Sequence, residues 1–309
     1  MMDCPTPRNQ SFVSYDETEI FYEQRYRMTM NDNRLIETAW CPGCGNFSIL
    51  TALQQALAAS GRKPREILFV SGIGQAAKAP HYLNVNLFDG LHGRSLPVAT
   101  GAKLANHALT VIVETSDGCA YGEGGNHFLA AIRRNIDVTL LVHNNQIYGL
   151  TKGQASPTSD EGFITKAQPE GSPSAPFNPV VVAVAMRAGF VARAFAGMAD
   201  HLSALIQQAI VHRGFSLIDI LQPCVSFNKV NTFAWYKKRC YDLPPEYDPA
   251  KWKEAMKTAQ EWGDRIPLGL IYKNGRPSFD EHFSVLNRGP LVEQEFNREM
   301  LKEIMEEYA

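Results

Sequence analysis

The sequence lacks an excess of charge of either sign. Among its 309 residues, 30 Lys and Arg stand against 32 Asp and Glu, which gives a formal net charge of −2. This near balance excludes a nucleic-acid-binding protein that relies on bulk positive charge. Hydrophobic residues make up 45% and charged residues 20% of the chain. That composition excludes disorder as the dominant state and predicts a folded protein with a large core.

Long apolar segments are also missing. Residues 1–33 form a polar N-terminal leader with charges throughout, so they have neither the apolar core of a signal peptide nor the pattern of a transit peptide. No uncharged apolar run reaches membrane-spanning length. We therefore expect a soluble, cytoplasmic protein that does not contact a membrane.

Cysteine is scarce, and its placement is uneven. Six cysteines are too few for a disulfide scaffold in a chain of this size. Cys41 and Cys44 form a Cys-x-x-Cys pair, which in a reducing compartment indicates a metal, a cluster or a redox function.

Short apolar runs alternate with segments of helical period. The predicted strands cover 67–70, 109–113, 138–142, 190–193 and 215–221, and the predicted helices cover 46–60, 124–135, 179–189 and the region of 202–210. The order strand, loop, helix, strand over 109–142 is typical of a parallel βαβ unit. The predicted fold class is therefore α/β, with a mostly parallel sheet flanked by helices.

The length suits either two domains or one large α/β unit with a tail. We divide the chain into the leader 1–33, an α/β domain at 34–228 and a C-terminal extension at 229–309, with helices expected at 250–262 and 291–308. The stretch 148–178 is rich in Gly, Ser, Thr and Pro without a period, which favours a functional loop.

Polar residues follow the predicted strands. Asp117-Gly118 and Asn144-Asn145 each come directly after one, and ligands of open parallel sheets bind beyond the carboxyl ends of the strands. Taken singly, each pair is an ordinary turn sequence. Their spacing across a βαβ unit favours instead a Mg²⁺ bound to a diphosphate, since that ion takes carboxylate, amide and carbonyl oxygens.

Several motifs occur in a characteristic order. They are Trp40-Cys41-Pro42-Gly43-Cys44-Gly45, Ser71-Gly72-Ile73-Gly74, Leu91-His92-Gly93-Arg94, Gly125-Asn126-His127-Phe128, Asn144-Asn145-Gln146-Ile147-Tyr148-Gly149 and Leu221-Gln222-Pro223-Cys224. Together they resemble the beta subunit of the 2-oxoacid:ferredoxin oxidoreductases, which binds thiamine diphosphate. The resemblance runs from about Trp40 into the C-terminal region.

The resemblance implies a role for each matching residue. Asp117 and Asn145 would bind Mg²⁺ through their side chains, and Ile147 would bind it through its carbonyl. Lys78 would lie near the substrate carboxylate; without the motif it would be read as a solvated surface lysine. The cofactor-binding residues would be Gly45, His92, Arg94, Gly118, Gly125, Asn126 and Tyr148.

The resemblance also implies the reaction and the partners. The expected activity is oxidative decarboxylation of a 2-oxo acid to acyl-CoA and CO₂, with one-electron transfer through a 4Fe-4S cluster to ferredoxin or another acceptor. An alpha subunit, or alpha plus gamma, would supply the activating glutamate, so the chain alone would be inactive. Two alternatives stay open: a thiamine-dependent decarboxylase or carboligase subunit without a redox cluster, and a non-catalytic regulatory subunit.

One departure from the family pattern concerns the cluster. Cys41, Cys44 and Cys224 match three of the four family cysteines, but Gln75 occupies the third cysteine position, directly after Gly72-Ile73-Gly74. A neutral amide is a poor replacement for a thiolate on iron. We hypothesise that Cys119, which is unexpected in its loop, supplies the missing ligand; a small buried thiol, a three-cysteine cluster, a zinc ion that uses Cys240, or no metal are the alternatives.

Overall fold

The computed structural model describes residues 38–295 and 298–308, so the leader predicted at 1–33 lies outside the described residues. The strands are β1 Ile67–Ser71, β2 Asn86–Asp89, β3 Thr110–Ser116, β4 Thr139–Asn144, β5 Ile147–Tyr148, β6 Gln154–Ala155, β7 Phe190–Phe195, β8 Ser216–Leu221, β9 Cys240–Asp242 and β10 Ile266–Lys273. The helices are α1 Asn46–Ser60, α2 Ser95–Ala105, α3 Gly125–Arg134, α4 Pro179–Ala185, α5 Ala199–Val211, α6 Phe233–Arg239, α7 Trp252–Gln260 and α8 Arg298–Glu307.

The central sheet has eight strands in the order β2-β1-β3-β4-β8-β7-β10-β9. The six strands from β2 to β7 are all parallel, whereas β10 pairs with β7 in the antiparallel sense and β9 runs parallel to β10. Parallel strands end on the same side, so the loops after β1, β3, β4, β7 and β8 leave from one border. We call this border the carboxyl edge.

Helices cover both faces of the sheet. The helices α1 and α5 pack on one face, and α2, α3, α4 and α7 pack on the other. Successive strand residues point to opposite faces, as Phe69 and Val70 in β1 do, and both are fully buried. Burial on both faces explains why the parallel strands are continuous apolar runs in the sequence.

The α/β class and the parallel βαβ unit are confirmed, and the predicted strands and helices lie close to the observed ones. The C-terminal region contains helices, but it also adds β9 and β10 to the sheet, which the sequence analysis did not identify. Pro267 and Gly269 within β10 argue against a strand when read locally. Pairing with β7 begins only at Gly269, so the N–H that Pro267 lacks is not required on that side.

None of the helices within the described residues is both long and apolar enough to cross a membrane.

We predict that Asn135→Ala lowers the free energy of unfolding by about 3 kcal/mol. The buried Asn135 ends α3 in the left-handed conformation, at φ 54°. Its Nδ2 donates to the carbonyls of Arg276 and Pro277, and its Oδ1 accepts from the Phe215 N–H, all at 3.0 Å. Alanine removes these bonds and tolerates this conformation poorly.

Urea unfolding of the full chain measures the effect. Asn106→Ala is the matched control, because the Asn106 side chain makes one hydrogen bond within the described residues, which it accepts from the Ala108 N–H in an exposed turn. The control should lose less than about 1 kcal/mol. Equal losses of unfolding free energy in the two variants would contradict the role given to the Asn135 side chain.

Candidate functional site

The polar residues singled out in the sequence meet at the carboxyl edge. The loops at 72–75, 117–124, 145–149 and 222–226 follow β1, β3, β4 and β8, which include the middle strands of the sheet. The topology therefore brings together residues that are more than a hundred positions apart in the sequence.

Asp117 lies at the centre of this edge and is fully buried. Its Oδ2 accepts hydrogen bonds from the hydroxyls of Ser156, at 2.6 Å, and Thr158, at 2.7 Å. Its Oδ1 has no hydrogen-bond partner within the part of the chain that the structure describes. Burial raises the pKa of Asp117 to about 6, against the effect of those two hydrogen bonds. A buried carboxylate with a free oxygen is suited to binding a cation.

The loop after β4 brings the side-chain amide of Asn145 and the backbone of Ile147 to the same edge. The Oδ1 of Asn145 accepts the Ile147 N–H at 3.1 Å, so this loop is a tight turn. Gln146, at the centre of the turn, has a positive φ of 56°. Its buried side chain donates to the Thr158 carbonyl and accepts from the Tyr236 hydroxyl, which fixes the turn. The amide oxygen of Asn145, the carbonyl oxygen of Ile147 and the Oδ1 of Asp117 are the kinds of oxygen that fit a Mg²⁺ ion.

A glycine-rich π-helical turn, Gly118–Glu123, follows Asp117. The ring of Tyr148 packs directly on Gly118, where an added Cβ would lie 2.1 Å from the ring carbon Cε1. The Tyr148 hydroxyl donates to Glu123 at 3.2 Å, and His92 Nε2 lies 3.4 Å from the same carboxylate oxygen. Burial, and next the Glu123 carboxylate, raise the pKa of Tyr148, so its hydroxyl remains a donor.

The remaining predicted cofactor residues lie in the loop after β2 and at the starts of α1 and α3. Arg94 contacts the ring of His127 at 3.2 Å, and Gly125 begins α3 beside the exposed Asn126. Gly45 is buried at the start of α1, where an added Cβ would lie 2.8 Å from the Cγ of Gln222. Close packing therefore requires glycine there.

Lys78 lies in a short helix after β1, at Ala76–Tyr82. It is half-buried and forms no ion pair with any residue that the structure describes. A cation without an acidic partner is available to an anionic ligand.

The segments that carry Cys41, Cys44 and Cys224 are packed together. Gln222 donates to the Cys44 sulphur at 3.2 Å, and Ser226 donates to the Cys41 sulphur at 3.1 Å. Burial raises the pKa of the Cys44 thiol, and Cys224 and Cys41 raise it further. The three thiols therefore share one electrostatic environment.

The hypothesis that Cys119 supplies a fourth ligand stays a prediction. The Cys119 side chain is fully buried, and its sulphur accepts the N–H groups of Ile73 and Gly93, each at 3.2 Å. Among residues 38–295 and 298–308, no three His, Cys, Asp or Glu side chains lie close enough to hold a single metal ion. The Cys119 sulphur therefore lies against the loop that follows β1, and a single zinc ion has no ligand set among the described residues.

Some residues of the site have no signal in the sequence. Ser156, which binds Asp117, lies in an irregular loop that carries no recognisable spacing. Asp219 is read as part of a buried strand, yet its carboxylate accepts from Tyr121 at 2.9 Å and from Asn144 at 3.2 Å. Only the pairing of β4 with β8 reveals these contacts.

A cavity of about 660 Å³ opens beside the loops that follow β4 and β8. Its lining includes Ile147, in the loop after β4, and Ser226, whose hydroxyl donates to the Cys41 sulphur. The lining also contains Lys152, Gly153, Ile164, Thr165, Lys166, Pro169 and Phe227. Two lysines among apolar side chains suit a small ligand that is anionic at one end.

Comparison with known proteins agrees with this geometry. A model of the C-terminal TPP-binding domain of thiamine pyrophosphate enzymes matches residues 70–220, and a model of the C-terminal part of the pyruvate ferredoxin oxidoreductase beta subunit matches residues 224–288. Subunit beta of 2-oxoacid:ferredoxin oxidoreductase 1 from Aeropyrum pernix is 45% identical over 260 residues, which cover 80% of this chain and 82% of the relative. The chain belongs to the beta subunits of the 2-oxoacid:ferredoxin oxidoreductases.

Further relatives support the same family. The 2-oxoglutarate oxidoreductase subunit KorB of Mycobacterium tuberculosis is 47% identical over 192 residues, covering 62% of this chain and 52% of the relative. A solved structure of the 2-oxoglutarate:ferredoxin oxidoreductase from Magnetococcus marinus, with 2-oxoglutarate, coenzyme A and succinyl-CoA bound, has a TM-score of 0.82 and 34% identity. It covers 88% of this chain and 92% of that chain. The resemblance seen in the sequence is thus confirmed.

We predict that Asp117→Asn stabilises the cofactor-free chain at pH 8. The pKa of Asp117 in the fold is about 6, above its ordinary 3.8, so the fold disfavours the ionised form. This cost is fully present above pH 6, declines as the pH falls and is absent below about pH 4. The gain should be about 2–3 kcal/mol at pH 8 and should decrease towards pH 4.

Urea unfolding across this pH range, with and without Mg²⁺ plus thiamine diphosphate, tests the prediction. The unsubstituted chain should gain stability from the two ligands, and the variant should gain little. A variant that is less stable at pH 8 without ligands would contradict it.

Proposed function

We propose that this beta subunit binds Mg²⁺ and thiamine diphosphate at the carboxyl edge. Asp117 and Asn145 would bind the ion through side-chain oxygens and Ile147 through its carbonyl. The free, buried Oδ1 of Asp117 is the observation that carries this proposal. Gly118, Gly125 and Asn126 would line the diphosphate, since the first backbone N–H groups of a helix such as α3 favour an anion.

We propose that the reaction is the oxidative decarboxylation of a 2-oxo acid to acyl-CoA and CO₂, with ferredoxin or another acceptor taking the electrons. When bound, thiamine diphosphate supplies the nucleophilic carbon and accepts the electron pair left by decarboxylation. Lys78 would hold the substrate carboxylate by charge pairing and so orient the ketone. Gly45, His92, Arg94 and Tyr148 would shape the cofactor pocket.

We propose an iron–sulfur cluster at Cys41, Cys44 and Cys224. Hydrogen bonds from Gln222 and Ser226 to two of these sulphurs support it, because such bonds tune the potential of a cluster. A cluster also tolerates thiolates that are too far apart for a single ion, since each thiolate binds a different iron. The cluster would pass electrons to the acceptor one at a time.

We propose that partner subunits complete the enzyme. An alpha subunit, or alpha plus gamma, would supply the glutamate that activates the cofactor, and the assembly would act in the cytoplasm. We assign 34–228 to the thiamine diphosphate domain and 229–309 to an extension that contacts a partner. Exposed apolar side chains at Phe283, Val292 and Ile304 support that contact.

We predict that the assembled complex reduces an artificial acceptor only when a 2-oxo acid and coenzyme A are both present. An anaerobic assay with a panel of 2-oxo acids, including pyruvate and 2-oxoglutarate, measures it. The isolated chain should be inactive. Aldehyde or ketol product without acceptor reduction would favour the decarboxylase alternative, and a complex inactive with all substrates would favour a regulatory subunit.

We predict that Lys78→Ala raises the KM for the 2-oxo acid by roughly 30–100-fold, because the carboxylate loses a charge-assisted hydrogen bond. Lys78→Arg should recover part of the loss. The control Lys253→Ala lies in α7, which packs on the sheet face rather than at the carboxyl edge, and should leave KM unchanged. Thiamine diphosphate affinity should be the same in all three variants. An unchanged KM in Lys78→Ala would remove Lys78 from the substrate site.

A further inference from the structure

Thr158 offers one hydroxyl to two segments of the candidate cation site, which consists of Asp117, Asn145 and Ile147. Its Oγ1 lies 2.7 Å from Oδ2 of Asp117 and 2.8 Å from Oδ1 of Asn144, the last residue of β4. A hydroxyl has a single proton, so the two oxygens share this donor. Since Asn145 directly follows Asn144, Thr158 joins the two segments that carry the proposed side-chain ligands.

A buried carboxylate determines which end of the Asn144 amide faces Thr158. The Nδ2 of Asn144 donates to both oxygens of Asp219, at 3.2 Å and 3.3 Å. A carboxylate accepts hydrogen bonds, so the amide nitrogen faces Asp219 and the amide oxygen faces Thr158. Hydrogen bonds therefore run without a break from Asp219 in β8, through Asn144 and Thr158, to Asp117.

Water has little access to these bonds. Asp117 is fully buried, and the side chains of Asn144 and Thr158 are only 3% and 4% exposed. The backbone of Thr158 is also fixed, because its carbonyl accepts the Nε2 of Gln146 at 2.8 Å. Buried and mutually connected hydrogen bonds of this kind hold a side chain in one orientation.

The hydroxyls meet only one of the two Asp117 oxygens. Oδ2 accepts from Ser156 and Thr158, whereas Oδ1 has no hydrogen-bond partner among the described residues. Rotation of the carboxylate about its Cβ–Cγ bond would break both bonds to Oδ2. The two hydroxyls therefore keep Oδ1 as the oxygen that is available to an ion.

We propose that Thr158 is a positioning residue of the cation site, whose hydroxyl holds the Asp117 carboxylate and the end of β4 at one spacing. This inference rests on the Mg²⁺ site under the proposed function. Groups behind metal ligands orient those ligands and contribute to affinity. Mg²⁺ requires a near-ideal octahedron of oxygens, whereas Ca²⁺ accepts irregular arrangements. Thr158 therefore matters more for Mg²⁺ than for Ca²⁺.

The test compares Thr158→Val and Thr158→Ser with the unsubstituted full chain. Valine keeps the branched shape without the hydroxyl, and serine keeps the hydroxyl. Calorimetric titrations with MgCl₂ and with CaCl₂, each in the presence of thiamine diphosphate, measure the affinities. Thr158→Val should lose about 10–100-fold in Mg²⁺ affinity and less than about threefold in Ca²⁺ affinity. Thr158→Ser should stay within about threefold of the unsubstituted chain for both ions.

Thr139→Val is the matched control. Thr139 is a buried threonine at the opposite end of β4, and its hydroxyl donates to the Ala209 carbonyl at 3.2 Å. This variant loses a buried hydroxyl without touching the cation site, so both ion affinities should be unchanged. Urea unfolding of every variant separates a loss of stability from a loss of affinity. If Thr158→Val does not fold, Thr158→Cys, with its weaker S–H donor, replaces it and should show the same difference between the ions.

Four results would each overturn the proposal. They are an unchanged Mg²⁺ affinity in Thr158→Val, an equal loss for Mg²⁺ and Ca²⁺, an equal loss in Thr139→Val, and no recovery in Thr158→Ser. The unsubstituted chain separates the two levels of inference. If it binds Mg²⁺ with thiamine diphosphate and Thr158→Val binds them equally well, only the role of Thr158 is rejected. If the unsubstituted chain binds neither, the cation site under the proposed function is rejected as well.

Discussion

A buried carboxylate with one unpaired oxygen is the constraint on which the carboxyl edge depends. Asp117 is removed from water, and within residues 38–295 and 298–308 only its Oδ2 is satisfied by hydroxyl groups. Its neighbour Asp219 is also buried, and the fully buried Arg193, whose partner in the β7–β8 register is Asp219, offsets part of this negative charge. The fold therefore holds a local excess of negative charge that a divalent cation would neutralise.

A second buried network of hydrogen bonds joins the turn at Cys41–Cys44 to the sheet. His143 in β4 contacts Asn46 at 2.8 Å and Glu114 of β3 at 2.9 Å, and all three side chains are buried. Asn46 is the first residue of α1 and follows Cys44-Gly45. Burial raises the pKa of Glu114, and one of its oxygens has no partner within the described part of the chain. The start of α1 is thereby fixed to the same two strands that present Asp117 and Asn145.

One cavity reaches both the loop after β4 and the loop after β8. The loop after β4 contributes Ile147 to its lining, and the loop after β8 contributes Ser226. The pairing of β4 with β8 sets these two loops side by side, so one cavity reaches both.

The sequence alone determined the α/β class, because buried parallel strands are continuous apolar runs that end in polar turns. It also singled out Asp117 and Asn145 by their position after predicted strands, and the structure brings the loops that carry them to one edge. It missed β10, since Pro267 and Gly269 oppose a strand locally and only pairing with β7 overrides them. Only the tertiary structure shows that the Cys119 sulphur accepts the N–H groups of Ile73 and Gly93, which come from two other loops. The contacts of Ser156 and Asp219 with the site depend on strand order, which brings distant segments to one edge and has no local pattern in the chain.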